Sequence, residues 1–375
     1  MIYSLIPYQL AVLGAGWAAS SLVLRASDDP KRAAAVPPGT GKLFLRTILW
    51  QALVYAAIEC ACVLVYLAVW PKLQVLFFGL GTIFWAGAVI LPSRLAERTW
   101  HRNRAILLYP LATIAVAVFA LAVEPYRIEA ARVDLRFEKV LPASSPIRIA
   151  QVSDLQTSFY GPREARVPGI VNDFAPDIVV CTGDYLVPGL KDDDQIASAA
   201  RVLRDLKPAS GIFAVDGDSE EEAHRVELFG RVPGVTYLKN AAAKVSIRGT
   251  DVWIVGTTRK NPDFEAAVAR VPPGAFTILL HHSPDVVLGL SGPRRPDLVI
   301  AGHTHGGQVR LPGLGALVTL TALPRRYASG LFREFGTTLY VCRGIGLEGR
   351  FAPQVRLFCP PEVALFEIRT LRDEE

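Results

Sequence analysis

The 375 residues include six histidines, and four of them (His281, His282, His303 and His305) fall within residues 281–305. Two belong to His281-His282-Ser283-Pro284 and two to Gly302-His303-Thr304-His305-Gly306-Gly307-Gln308. Upstream, three short segments carry carboxylates: Ser153-Asp154-Leu155-Gln156, Thr182-Gly183-Asp184 and Asp216-Gly217-Asp218-Ser219-Glu220. Carboxylates and imidazoles converging on one edge are what a site for two divalent ions needs. The glycines let the backbone turn sharply and bring such groups close. Gly-Asp alone is a common turn, and Asp-Leu-Gln alone says little. Gly-His-Thr-His-Gly-Gly after an apolar run is the informative piece, because neighbouring histidines on a tight turn have few structural uses.

Each of these segments follows a short apolar run. The runs are Ile147–Val152, Asp177–Cys181, Ile212–Val215, Val252–Val255, Phe276–Leu280, Leu298–Ala301 and Thr338–Cys342. They are bounded by Gly, Pro, Asp or Ser and read as buried strands. Helical patterns lie between the early ones, at about 163–174, 192–206 and 220–230. The alternation predicts an α/β core with crossovers. The later strands come closer together, which predicts a mixed sheet or a second sheet. Ligands in open α/β sheets sit at the carboxyl ends of strands, where these Asp and His residues fall.

Taken in order, the segments resemble the calcineurin-like metallophosphoesterase superfamily over about residues 146–370, in its membrane-anchored bacterial branch. Ile149–Leu155, Pro176–Asp184, Leu279–Asp285 and Asp297–Gln308 carry the resemblance, with Val341-Cys342-Arg343-Gly344-Ile345-Gly346 and Arg356–Glu362 at the close. The resemblance implies a four-layer αββα sandwich with a dinuclear metal centre. By position, Asp154 and His305 would bind the first ion and Asp184 would bridge. His282 and His303 would bind the second, with residue 218 as its remaining ligand. The implied reaction is hydrolysis of phosphoric esters or anhydrides by a hydroxide held between the ions and Asp184, with His303 stabilising the developing charge.

Three positions depart from the family pattern. Gln156 stands where a histidine ligand is usual, and its amide oxygen is a weaker donor. Asp218 replaces an asparagine ligand. Ser219 replaces the histidine that helps protonate the leaving group, a contribution typically about 10²–10⁴-fold. The shift toward oxygen donors favours Mn²⁺ or Mg²⁺ over Zn²⁺. Mn²⁺ is the expected ion, with Mg²⁺, Fe and Zn²⁺ as alternatives. Glu220 and His281 are candidate substitute proton donors, although Glu220 reads more simply as a first-turn helix carboxylate and His281 as a buried residue behind His282. Arg325 and Arg326 could grip a phosphate, but read more simply as solvated charges.

The first third differs in composition. Residues 2–24, 47–70, 73–92 and 105–123 are apolar runs with at most one charge each, long enough to be read as spanning helices. The expected organisation is thus an all-α four-helix transmembrane anchor over 1–124, a linker over 125–145 and the metallophosphoesterase domain over 146–375. Arginines and lysines concentrate in 25–46 and 93–104, which would keep those loops cytoplasmic and put the domain on the outer face of a bacterial inner membrane. Residues 1–124 hold 10 Lys+Arg against 5 Asp+Glu, so the net charge of +5 resides there and the remainder is balanced. With no excess cation in the globular part, nucleic acid is not an expected partner. The expected partners are the lipid bilayer and a phosphorylated substrate, lipid-linked in one version. Two alternatives stay open: a lipid-precursor pyrophosphatase facing the cytoplasm, and a catalytically degenerate domain that binds metal or phosphate without turnover.

Overall fold

The computed structural model describes residues 115–140, 145–188, 193–290, 294–348 and 354–371. The chain divides into two compact units, one of 1–118 with 350–353 and one of 119–349 with 354–375. The second unit carries all the candidate site residues.

Its strands are β1 (Glu129–Phe137), β2 (Ile147–Val152), β3 (Ile178–Cys181), β4 (Ile212–Ala214), β5 (Val235–Tyr237), β6 (Ala241–Ile247), β7 (Thr250–Gly256), β8 (Phe276–Leu280), β9 (Leu298–Ala301), β10 (Arg310–Leu311), β11 (Gly315–Ala316), β12 (Gly330–Glu334), β13 (Thr337–Val341) and β14 (Glu362–Thr370). Helices α1 (Pro162–Asp173), α2 (Asp193–Arg204) and α3 (Glu222–Gly230) follow β2, β3 and β4, and the short α4 (Phe264–Val268) follows β7. One mixed six-stranded sheet has the order β1-β14-β2-β3-β4-β5 and a second has β12-β13-β9-β8-β7-β6.

Alternation along the strands explains the layers. Ile147 and Ile149 of β2 and Ile178 and Val180 of β3 share a core with Phe276, Ile278 and Leu280 of β8 and Leu298 and Ile300 of β9. That core lies between the two sheets. The alternate residues, Ala150 and Val152 of β2 and Val179 and Cys181 of β3, pack under Val167 and Val171 of α1 and Ile196, Ala199 and Leu203 of α2. Leu279, Val299 and Ala301 do the same on the far face of the second sheet, against Ala267 and Val268 of α4. A strand buried on both faces reads as a continuous apolar run, which is how these strands look in the sequence.

Two expectations are corrected here. Glu129–Phe137, inside the stretch read as a linker, is β1, paired in parallel with β14 from Glu129↔Glu362 to Phe137↔Thr370. Its charges alternate with Val133, Leu135 and Phe137, a half-buried pattern that hides a strand from a search for apolar runs. The second correction concerns the membrane. Among the described residues no helix is long and apolar enough to cross one. The four expected spans lie outside the described residues except for the tail 115–123. In that tail, one helical turn runs into a π-helical turn at Phe119–Val123, and a 3₁₀ turn at Glu124–Tyr126 with a proline at its start ends the segment. The four-helix transmembrane segment, and with it the multi-pass inner-membrane location, is therefore withdrawn.

Candidate metal centre

The carboxyl ends of β2, β3 and β4 in one sheet and β8 and β9 in the other bring together every residue singled out for metal binding. Asp154 follows β2, Asp184 follows β3, Asp218 follows β4, His282 follows β8, and His303 and His305 follow β9. These strand ends are not consecutive in the chain, since β5, β6 and β7 intervene. Ligand atoms of Asp154, Asp184 and His282 lie within 4.8 Å of one another, and so do those of Asp218, His282 and His303.

The imidazoles are fixed in orientation. His282 Nδ1 lies 2.8 Å from the Thr182 carbonyl. A carbonyl only accepts, so Nδ1 carries the hydrogen and Nε2 points the other way, 3.5 Å from Asp184 Oδ1 and 3.8 Å from Asp218 Oδ2. His303 Nε2 donates in the same manner to the Leu320 carbonyl at 2.9 Å. That leaves its Nδ1 3.1 Å from His282 Nε2 and 3.4 Å from Asp218 Oδ2. Anchoring the far nitrogen on a carbonyl is how proteins orient an imidazole toward a metal. Both nitrogens of His305 are buried without a hydrogen-bond partner, and Nε2 is 3.6 Å from Asp154 Oδ1. Gln156 gives its amide hydrogens to Asp184 Oδ2 (3.2 Å) and Glu348 (3.4 Å), while its Oε1 is buried and unpartnered. Buried polar atoms without a partner, such as these His305 nitrogens and Gln156 Oε1, are costly. They fit a site whose missing partner is a cation.

Electrostatics agree. Burial pushes the Asp154 carboxyl up to about 7; the His282 charge opposes this and Asp184 adds to it. Burial would raise Asp184 too, but the His282 charge and hydrogen bond, helped by the Ser219 amide, hold it well below the usual carboxylate range. Burial would lower His282, yet Asp184, Asp154 and Asp218 together lift it to about 10. Burial keeps His303 and His305 below the ordinary imidazole value. The proton that His282 holds sits where the carboxylates converge, the place a divalent cation would take.

The local backbone is built for this convergence. Asp154, Gln156, Asp184, His303 and His305 have φ of 49°, 35°, 55°, 71° and 48°. Left-handed backbone costs a non-glycine residue about 1–2 kcal/mol, and such strain gathers at functional sites. Two glycines are obligatory. A Cβ on Gly302 would lie 2.0 Å from Ser153 Oγ and 2.3 Å from Asp154 Oδ2, and one on Gly217 would lie 2.1 Å from Asp184 Oδ1. Asp184 Oδ1 in turn accepts from the amides of Asp218 (2.6 Å) and Ser219 (2.9 Å).

Other residues hold the site that the motifs did not flag. Gln151 donates to Thr182 Oγ1 (2.9 Å), Thr182 to Ser153 Oγ (2.6 Å) and Ser153 to Asp154 Oδ2 (2.5 Å), a buried relay that fixes the first carboxylate. Arg259, just past β7, donates from Nε to Asp218 Oδ2 at 3.0 Å. It brings a guanidinium to the centre, and its only sequence signal was a cation at a strand's carboxyl end.

The substitute proton donors are engaged elsewhere. Glu220 lies two residues before α3, not in its first turn. Its carboxylate accepts from the amides of Tyr185 (2.5 Å), Leu186 (3.2 Å) and Gly217 (3.1 Å), and so splints the Asp184 loop to the Asp218 loop. His281 is buried behind His282 with Nδ1 on Thr257 (2.9 Å), and burial pushes it down to about 3. Ser219 Oγ is buried with no partner. Arg326 pairs with Glu334 at the surface, and Arg325 is exposed beside it.

With this geometry in view, the comparisons with known proteins are direct. Residues 147–307 match the calcineurin-like phosphoesterase family. These residues form a calcineurin-like phosphoesterase domain, and relatives named metallophosphoesterase and phosphodiesterase support a hydrolase of phosphoric esters. It is 27% identical over 266 residues to the uncharacterized metallophosphoesterase YkuE of Bacillus subtilis, covering 67% of this chain and 89% of that one. It is 29% identical over 260 residues to the phosphodiesterase YaeI of Escherichia coli, covering 65% and 90%. A Danio rerio relative named transmembrane protein with metallophosphoesterase domain is 29% identical over 316 residues, covering 76% and 68%.

Proposed function

We propose that this chain hydrolyses phosphodiesters or phosphoric anhydrides with acidic leaving groups, using two divalent ions. The observation that carries the reading is the pair His282 and His303. Each is anchored through one nitrogen on a carbonyl; the other nitrogen of His282 turns toward Asp154, Asp184 and Asp218, and that of His303 toward Asp218. Asp154, Gln156, Asp184 and His305 would hold one ion, and Asp184, Asp218, His282 and His303 the other. When bound, the ions supply Lewis acidity toward phosphoryl oxygens and bring the pKa of water toward neutrality. The mixed carboxylate, amide and imidazole donor set suits Mn²⁺.

The protein's own groups do the rest. Amides 218 and 219 hold Asp184 Oδ1 in place. Arg259 keeps donors beyond the one spent on Asp218, and these can take a phosphate oxygen. Among the described residues, none at the centre is placed to protonate a basic leaving group: Ser219 cannot at neutral pH, Glu220, which burial pushes up to about 8, has both oxygens on backbone amides, and His281 faces away. Leaving groups that depart as stable anions therefore suit the site, among them phenolates and phosphates. Retention of every other donor position favours turnover over a degenerate domain.

The test is hydrolysis of bis-p-nitrophenyl phosphate by the purified chain with Mn²⁺. Activity lost on chelation, restored by Mn²⁺ and abolished by Asp184→Asn is expected, with about two ions per chain by elemental analysis. No activity, or activity indifferent to Asp184→Asn, refutes the hydrolase reading. A single bound ion refutes the two-metal part alone.

A further inference from the structure

One surface beside the metal centre does not fit a simple hydrolase of small soluble esters. The chain leaves the His303–His305 segment through β10, turns, and returns through β11 to Leu320. Along this ribbon Leu311, Leu314, Leu317, Val318 and Leu320 are all exposed, Leu314 to 69% and Val318 to 64%. Single exposed apolar residues are ordinary, but a contiguous set marks a place where something apolar binds.

The ribbon is continuous with the candidate centre. The Leu320 carbonyl takes the hydrogen of His303 Nε2. A Cβ on Gly307 would lie 2.6 Å from Ala316 Cβ and 2.8 Å from the Val318 carbonyl, so the returning strand lies flat on the ligand-bearing loop. Arg310 ties the base of the ribbon to Ser329 Oγ at 2.7 Å. The 3₁₀ turn Arg325–Ala328 packs against both β11 and the turn His305–Gly307.

Charge identifies the kind of occupant. Between Asp297 and Glu334 the sequence contains no acidic residue and four arginines, Arg310, Arg325, Arg326 and Arg333. Asp285 accepts from the amides of Ala322 and Leu323 just past the ribbon, and Glu334 meets Arg326, so the cations beside the apolar surface are Arg310 and the exposed Arg325. With the candidate metal centre at its other end, the surface complements a molecule with a hydrocarbon tail and an anionic head.

We propose that the 311–320 ribbon docks the hydrocarbon chain of an amphiphilic phosphodiester while its head lies at the metal centre. This substrate class rests on the hydrolase reading above and sharpens it. Leu314 and Val318 line the tail, and Arg325 faces the anionic head region.

Two experiments on the full chain test it. The first is a series of p-nitrophenyl alkyl phosphodiesters from methyl to octyl, with the same leaving group and each below its micelle concentration. A methylene fully removed from water is worth about fourfold and one lying on a surface about twofold, so kcat/KM should rise at least about tenfold along the series. In the double variant Leu314→Asp, Val318→Asp, the octyl-to-methyl ratio should fall to near one. The second is photolabelling with a decyl phosphate carrying a terminal diazirine, which should modify the 311–320 peptide.

Equal kcat/KM along the series, or labelling only outside 311–320, overturns the docking and leaves the hydrolase reading standing. If no member is hydrolysed with Mn²⁺ present, the hydrolase reading falls, and labelling alone decides whether the ribbon holds a hydrocarbon tail. Photo-leucine cross-links joining the ribbon to residues 1–114 would show that the chain covers its own ribbon, and would equally overturn the docking.

Discussion

Replacing Arg356 with methionine should destabilise the domain and disable the metal centre together. Arg356 is fully buried, and all its donors go to backbone carbonyls. Nε reaches Gly346 (3.2 Å), Nη1 reaches Cys359 (3.2 Å), and Nη2 reaches Arg343 (2.9 Å), Gly344 (3.2 Å) and Gly346 (2.6 Å). Burial pulls its pKa down to about 10, so it remains a cation at neutral pH. Two effects oppose each other when it is removed. The Gly344 carbonyl keeps the Glu362 amide at 2.9 Å, but those of Arg343, Gly346 and Cys359 lose the donors described. Three buried acceptors at about 1–3 kcal/mol each come to about 3–9 kcal/mol. Removing a cation from the interior returns several kcal/mol. The carbonyls win, because the guanidinium is already satisfied at four of them. The expected net loss is about 3 kcal/mol, or about 6–12 °C in melting temperature for a unit of this size.

The loop this side chain holds is also the backing of the first carboxylate. Ile345 N donates to the Ser153 carbonyl (3.0 Å) and Gly346 N to that of Asp154 (2.6 Å). The methionine variant should therefore bind fewer ions per chain even at temperatures where it is folded. Arg356→Lys should fall between, since one ammonium cannot span carbonyls that a fork reaches from several sides. Circular-dichroism melts with elemental analysis at 20 °C would check the order wild type, lysine, methionine. A methionine variant as stable as wild type would refute the reasoning, by showing that desolvation of the cation outweighs its hydrogen bonds.

Three further outcomes are expected. Arg259→Ala should raise KM for bis-p-nitrophenyl phosphate about tenfold or more while leaving two ions bound, and Arg259→Lys should restore part of it; loss of an ion instead would show that the arginine serves Asp218 rather than substrate. Glu220→Gln leaves one acceptor oxygen for amides on two loops and should cost about 1–2 kcal/mol of stability and lower kcat more than it raises KM; an unchanged melting temperature would rule out the splint. Metal uptake should release protons in a pH-dependent way. His282 holds its proton up to about 10 and Asp154 up to about 7, and a cation must displace both. Affinity should therefore fall as pH falls, and protons released per chain should rise from about one at pH 8 to about two at pH 6, read by calorimetry in buffers of different ionisation enthalpy. Constant release across that range would contradict these assignments.

What the sequence shows about this molecule follows from what each residue does alone. β3 and β9 stand out because both faces are buried, so every position is apolar. β1 and β14 do not: β1 alternates with charge, and its register with β14 joins residues more than 230 positions apart, a pairing no local pattern carries. The candidate ligands stand out because histidine is rare here and has few uses on a tight turn. Arg259, Gln151 and Glu220 do not, because an arginine after a strand, a glutamine within one and a glutamate before a helix each have commoner roles. The long apolar runs of the first third invite a membrane reading by composition. Yet the described end of the last run shows that composition does not fix helical geometry, since it turns π-helical and then 3₁₀.

The strain in the centre connects these levels. Five site residues, all identifiable by type, share left-handed backbone that nothing in their types demands. The surroundings hold them there. Gly302 and Gly217 admit Asp154 and Asp184 at distances no side chain would allow, and the Glu220 splint and the Arg356 clasp tie the loops that carry them. The identity of the candidate ligands is therefore written in a few motifs, whereas their placement is spread over residues from five strand ends. A change at Gly302 should therefore be as damaging to activity as a change at Asp154, although only Asp154 would touch an ion.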